Sequence, residues 1–120
     1  MRAYVPVTWE DLDELSGSGT LPGPRAAYVV DPAWCAADPG ATEEEWEYEA
    51  QELAADALDQ HGGVVLALEV AVPGHVDDGL VELPGPIQRR AVVAVFTADL
   101  AWFGLQEVPH LLAQRAAPSP

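Results

Sequence analysis

The stretch VVLALEVAV, residues 64–72, constrains this chain more than any other. It is rich in β-branched and aliphatic residues, as a strand requires. Successive side chains of a strand point to opposite faces. Val64, Leu66, Leu68, Val70 and Val72 therefore share one face, and Val65, Ala67, Glu69 and Ala71 share the other. The first set is uniformly large and apolar; the second is mostly small and carries a carboxylate. Strands buried on both faces read as continuous large apolar runs. The pattern predicts helices packed on one face of the sheet only, with the other face open, shallowly covered or used for dimer contact.

The flanking segments supply the rest of that sheet. AYVPVT near the start, AAYVVD at 26–31, the short LVELPG at 80–85 and AVVAVFT at 91–97 all read as strands. Thr8 followed by Asp11 is a weakened capping box opening a helix with Trp9, Leu12 and Leu15 on its apolar edge and Gly17 as its stop. SGSGT follows that helix rather than preceding one, so it is read as a flexible loop and not as a phosphate cradle. PAWCAADPG is turn-rich, with room for one helical turn. Thr42 with Glu45 forms a full capping box for a helix over 43–60, ended by Gly62 and Gly63 with His61 near its negative end. ADLAWFGLQEVPHLLAQR reads as one or two short helical pieces with Pro109 in a first turn.

Strands and helices interleave without a regular βαβ rhythm, and the later strands are consecutive. The expected fold is α+β: two layers, with a four- to five-stranded, mostly antiparallel or mixed sheet and helices on one face. At 120 residues one domain is expected, over residues 1–115, with a frayed tail at 116–120.

Charge narrows the partners. Twenty acids face five basic residues, all arginine, for a formal net charge of −15. Such a surface repels phosphate backbones and anionic headgroups, which argues against nucleic acid and membrane partners. Basic proteins, cationic ligands and metals stay open. Nothing near the N-terminus resembles a signal-peptide core, and the longest wholly apolar run is AVVAVF, so a cytoplasmic location is expected. A single cysteine, Cys35, rules out an intrachain disulfide and reads as a small hydrophobe beside Trp34.

The most acidic segment is EEEWEYEAQELAADALDQ, residues 43–60. At helical spacing Trp46, Ala50, Leu53, Ala54, Ala57 and Leu58 form the buried stripe. Glu45, Glu49, Glu52, Asp56 and Asp59 form a separate ridge, read as a solvated face, with a basic partner as second choice. A single rigid ridge makes a poor cage for hard cations, which want converging ligands. Glu47 lies on the margin of the apolar stripe instead. It is expected to be at least half buried and bonded to Arg2, Arg25, Arg89, Arg90 or backbone amides, since an unpaired buried charge is costly. His61, His75 and His110 have no zinc-motif spacing, and no nucleophile elbow or Cys–His pairing is legible. No catalytic, metal or cofactor residue is expected.

MRAYVPVTWEDL, AAYVVDPAW, EEEWEYEA and LAWFGLQEVPHLL together resemble an uncharacterised family of small acidic actinobacterial proteins, a domain of unknown function. The resemblance implies no activity, substrate or cofactor. It does place the polar residues Glu47, Tyr48, Gln106 and Glu107 inside family motifs, which implies a shared contact or site. With Trp46 and Trp102 these form the candidate ligand or partner site. Two readings follow: a non-enzymatic domain that binds a protein partner or forms a homodimer, and a small-molecule-binding protein or minor enzyme with an aromatic pocket. In the second reading Glu47, Tyr48 and Glu107 are polar anchors between Trp46 and Trp102.

Overall fold

The structure, a computed structural model, describes residues 1–58, 62–71 and 75–116. The expected end of the 43–60 helix and the frayed tail fall partly on residues outside that set. Among the described residues a six-stranded antiparallel sheet runs in the order β5 (Leu80–Leu83), β3 (Arg25–Tyr28), β1 (Arg2–Val7), β4 (Val64–Glu69), β7 (Val92–Thr97), β8 (Trp102–Phe103). β2 (Thr20–Leu21) and β6 (Ile87–Gln88) form a separate two-stranded pair. The helices are α1 (Trp9–Ser18), α2 (Pro32–Ala37), α3 (Glu43–Asp56) and α4 (Val108–Ala116).

The fold is α+β, as the alternation of elements predicts. The strand count is higher than expected, and the helices occupy both faces of the sheet. On one face Val5, Val7, Val64, Leu66 and Leu68 pack with Leu12 and Leu15 of α1, Leu21 and Ile87 of the small pair, and Val108 and Leu111 of α4. On the other, Tyr4, Val65, Ala67 and Ala94 pack with Ala50, Ala54 and Leu58 of the α3 segment. Ala67 is therefore 1% exposed and offers no dimer contact. The small residues on that face of β4 mark close approach rather than exposure. Ala50 and Ala54, both fully buried, meet Ala67, and no long side chain separates helix from sheet.

The helix ends depart from expectation in opposite senses. At Thr8 both arms of the capping box form: Asp11 N–H donates to Thr8 Oγ1 at 3.0 Å, and Thr8 N–H donates to Asp11 Oδ2 at 3.1 Å. Arg25 holds that carboxylate in place through N–H bonds of 2.9 and 3.3 Å. Burial works against the charge, but Arg25 and Thr8 outweigh it and keep Asp11 below the usual carboxylate range. At Thr42 only the forward arm forms, from Glu45 N–H at 3.2 Å. α1 also runs through Gly17 and ends at Gly19, whose φ of 84° closes the helix with a bond to Leu15 C=O. The SGSGT segment is thus the last turn of α1 and the start of β2, not a flexible loop.

PAWCAADPG holds a full short helix, α2, where one turn was expected. Asp31, 7% exposed, accepts from Ala33 N–H at 2.9 Å as its N-cap. Its second oxygen accepts from Gly79 N–H at 3.1 Å, and Trp34 Nε1–H donates to Asp78 Oδ1 at 2.8 Å. These bonds fasten the turn before β5 to α2. Gly79 sits at φ +87°, and an added Cβ would lie 2.7 Å from the Trp34 ring.

Candidate functional site

The N-terminal half of α3, α2 and the ends of β1 and β4 enclose a surface groove of about 1260 Å³. Trp46, Glu47 and Tyr48 line it, with Arg2, Cys35 and Gln51. Three of the expected site residues are thus brought together by consecutive positions on one helix.

Glu47 is partly buried, as its place on the wheel requires, but no arginine among the described residues holds it. Its Oε2 accepts the phenolic O–H of Tyr4 at 2.6 Å. Gln51, one helical turn on, donates its Nε2–H to the same phenolic oxygen at 3.3 Å. Tyr4 is 1% exposed and lies beneath α3, edge-on to Phe96 with ring centroids 6.4 Å apart. Burial first, and then the bond to Glu47, push its phenol far above the ordinary tyrosine value; the Gln51 bond works the other way. A phenol held this firmly in its neutral form is a tie between sheet and helix, not a base or nucleophile at neutral pH.

Three of the four expected arginine partners are engaged elsewhere, and Arg90 is exposed without meeting Glu47. Arg2 forms an exposed pair with Glu69 at 3.0 Å, with the N-terminal ammonium 3.8 Å from the same carboxylate. Arg25 binds Asp11. Arg89 donates to Ser16 C=O at 2.8 Å. Tyr4 and Gln51 were missed in the sequence because Tyr4 stands among apolar strand residues and could be read as core alone. The spacing of Gln51 four residues after Glu47 was the available signal.

Trp46 rests on Trp34 of α2, with ring centroids 6.1 Å apart and planes inclined by 33°. Tyr48 is 53% exposed beside Glu52, whose charge raises its phenol above the ordinary value. Trp102, Gln106 and Glu107 lie away from this groove. Trp102 occupies edge strand β8 opposite Phe96 and is 58% exposed. Gln106 and Glu107 belong to the 3-10 turn Leu105–Glu107, where the Gln106 carboxamide lies against Gly104.

Glu45, Glu49, Glu52 and Asp56 are exposed on the far side of α3; Asp59 lies outside the described residues. His75 and His110 are exposed and His61 lies outside the described residues. Cys35 is partly buried on the groove wall next to Trp34 in sequence. Among the described residues no group of three or more His, Cys, Asp or Glu side chains is arranged to hold a metal ion. No helix among them is long and apolar enough to cross a membrane.

No curated protein and no solved structure matches this chain. LAWFGLQEVPHLL, which holds Trp102, Gln106 and Glu107, falls outside the stretch that a family model matches, whereas the Tyr4–Glu47–Gln51 tie falls inside it. Residues 1–99 match the family of unknown function DUF6912, and the chain belongs to that family.

Proposed function

We propose that this chain is a non-enzymatic binding domain that associates with a second copy of itself through edge strand β8. The carrying observation is Trp102, 58% exposed on that edge. Its cross-strand neighbour Phe96 is only partly buried. α3 packs chiefly over β1, β3 and β4, and its cover thins toward Phe96 and Trp102, which stay partly and largely exposed. An exposed edge strand offers a row of unpaired backbone donors and acceptors.

Charge favours a second copy as occupant. Between Arg90 and Glu107 the chain carries a single charged residue, Asp99. In a molecule of net charge −15, two copies repel wherever their acids face each other, and the β7–β8 end is where they meet with least repulsion. The opposite edge, β5, is less suited, because Asp77, Asp78 and Glu82 stand exposed along it. A two-fold pairing of β8 with its copy would continue the sheet and cover both Trp102 rings.

Sedimentation velocity across the micromolar range tests the reading. A dimer that Trp102→Glu converts to monomer is the expected result; a monomeric parent at every concentration sinks it. The groove beside Trp46, Glu47 and Tyr48 supports the second reading, a small-molecule-binding protein. Native mass spectrometry of freshly purified protein separates the two, since a bound small molecule appears as added mass on the monomer.

A further inference from the structure

Arg89 and Arg90 stand apart in this molecule. Twenty acids are available, yet among the described residues neither arginine has a carboxylate within 4.0 Å, whereas Arg2 and Arg25 are both paired. The two sit in a 3-10 turn between β6 and β7. Arg89 is fixed there by its bond to Ser16 C=O at 2.8 Å and by its own N–H to Gly19 C=O at 2.9 Å. That contact has a structural use, because the last turn of α1 contains no basic residue and Arg89 supplies the positive charge. It occupies only one of the guanidinium's five N–H groups. Arg90 is exposed and makes no hydrogen bond or ion pair within the described protein.

The space beside the two arginines has two parts. A recess of about 400 Å³ is lined by Gln88, Arg89, Arg90 and Leu105. An apolar pocket of about 390 Å³ adjoins it and shares Arg89 and Leu105. Leu12, Leu66, Val95 and Val108 form the floor of that pocket, while Arg89 and Gln106 stand at its rim. Volumes of a few hundred Å³ suit small ligands, and such sites combine an apolar wall with a few polar groups that fix orientation.

From this arrangement we infer a binding site for a small amphipathic carboxylate. The alkyl chain occupies the mouth of that pocket against Leu105 and Pro109, above the buried floor of Leu66 and Val95. The carboxylate meets the free N–H groups of Arg89, with Arg90 and the Gln106 carboxamide beside it. Arginine presents paired donors that match a carboxylate's two oxygens. A cationic or neutral ligand gains nothing from these two charges. A large polyanion is opposed by the remaining charge of the molecule.

Octanoate is the probe, titrated into the intact chain while side-chain methyl signals are followed by NMR. Saturable shifts of the Leu105 methyls and of the Val108 methyls beneath them are expected, with 1-octanol and sulfate failing to reproduce them. Arg90→Gln is the cleanest variant, because Arg90 holds nothing in the fold. It should weaken octanoate by about tenfold, the effect of losing one charge-assisted contact, while leaving the melting temperature unchanged. Arg89→Gln with Arg90→Gln should abolish saturation. Unmoved methyls, equal affinity in Arg90→Gln, or sulfate binding at the arginines without octanoate entering the pocket would each overturn the assignment.

Discussion

Tyr4 and Glu47, forty-three positions apart in sequence, share a 2.6 Å hydrogen bond that joins the centre of the sheet to α3. The bond is the only polar link described between the Tyr4 phenol and a charged group, and Gln51 supports it from the next turn. Tyr4→Phe should cost about 1–2 kcal/mol, because the partly buried Glu47 carboxylate must then turn toward water. Combining Tyr4→Phe with Glu47→Ala in a urea-unfolding cycle should give a coupling of about 1 kcal/mol or more. Strict additivity would mean that the bond contributes nothing.

The same phenol gives the fold a dependence on alkaline pH. Its folded value lies above the unfolded value of 10.0, so the folded state holds this proton more tightly. The associated stability is complete below pH 10 and is lost as pH rises through the folded value. Exposed Tyr48, also raised, contributes in the same direction in both proteins being compared. The urea midpoint of the parent should therefore fall more steeply above pH 10 than that of Tyr4→Phe. Parallel curves for the two would contradict the assignment.

Asp31 fastens α2 to the turn before β5, and its two oxygens carry separate bonds to Ala33 N–H and Gly79 N–H. Asp31→Ala leaves both amides without that acceptor in a site 7% exposed, and should destabilise by about 2–4 kcal/mol. Gly79→Ala should cost at least about 2 kcal/mol, since it adds backbone strain at φ +87° to a collision with Trp34. Thermal unfolding of both variants checks this. A change within about 0.5 kcal/mol for Asp31→Ala would show that the turn is held by other contacts.

How much of this was legible depends on the length scale of each cue. Alternation in VVLALEVAV and the helical spacing after Thr42 are local patterns, and both elements form there, although the strand ends at Glu69 and the helix at Asp56. The helix cover on the second face was not legible. Small residues on β4 are compatible with either exposure or close packing, and only the matching Ala50 and Ala54 on α3 decide between them. β8 and the β2–β6 pair are two-residue strands, too short for periodicity to register. The partner of Glu47 was hidden for another reason. Charge points a carboxylate toward arginines or backbone amides, whereas burial makes the Tyr4 phenol the nearer donor.

The acidic ridge of α3 gives the sharpest test of the helical wheel. Glu49, Glu52 and Asp56 are exposed, form no ion pair among the described residues and follow one another at three- and four-residue spacing. Like charges at that spacing oppose the helix by a few tenths, about 0.2–0.5 kcal/mol, per pair. Replacing the three with Gln, Gln and Asn should leave the protein equally stable or slightly more stable at low salt. The difference should vanish near 1 M salt, where the screening length falls to about 3 Å. Glu43, Glu44 and Glu45 must be kept in this experiment, because they lie in the first turn and favour the positive end of the helix. A loss of more than about 2 kcal/mol would mean that the ridge is paired in solution with something the isolated chain does not display. A gain that persists in high salt would have to come from helix propensity or packing rather than from relief of repulsion.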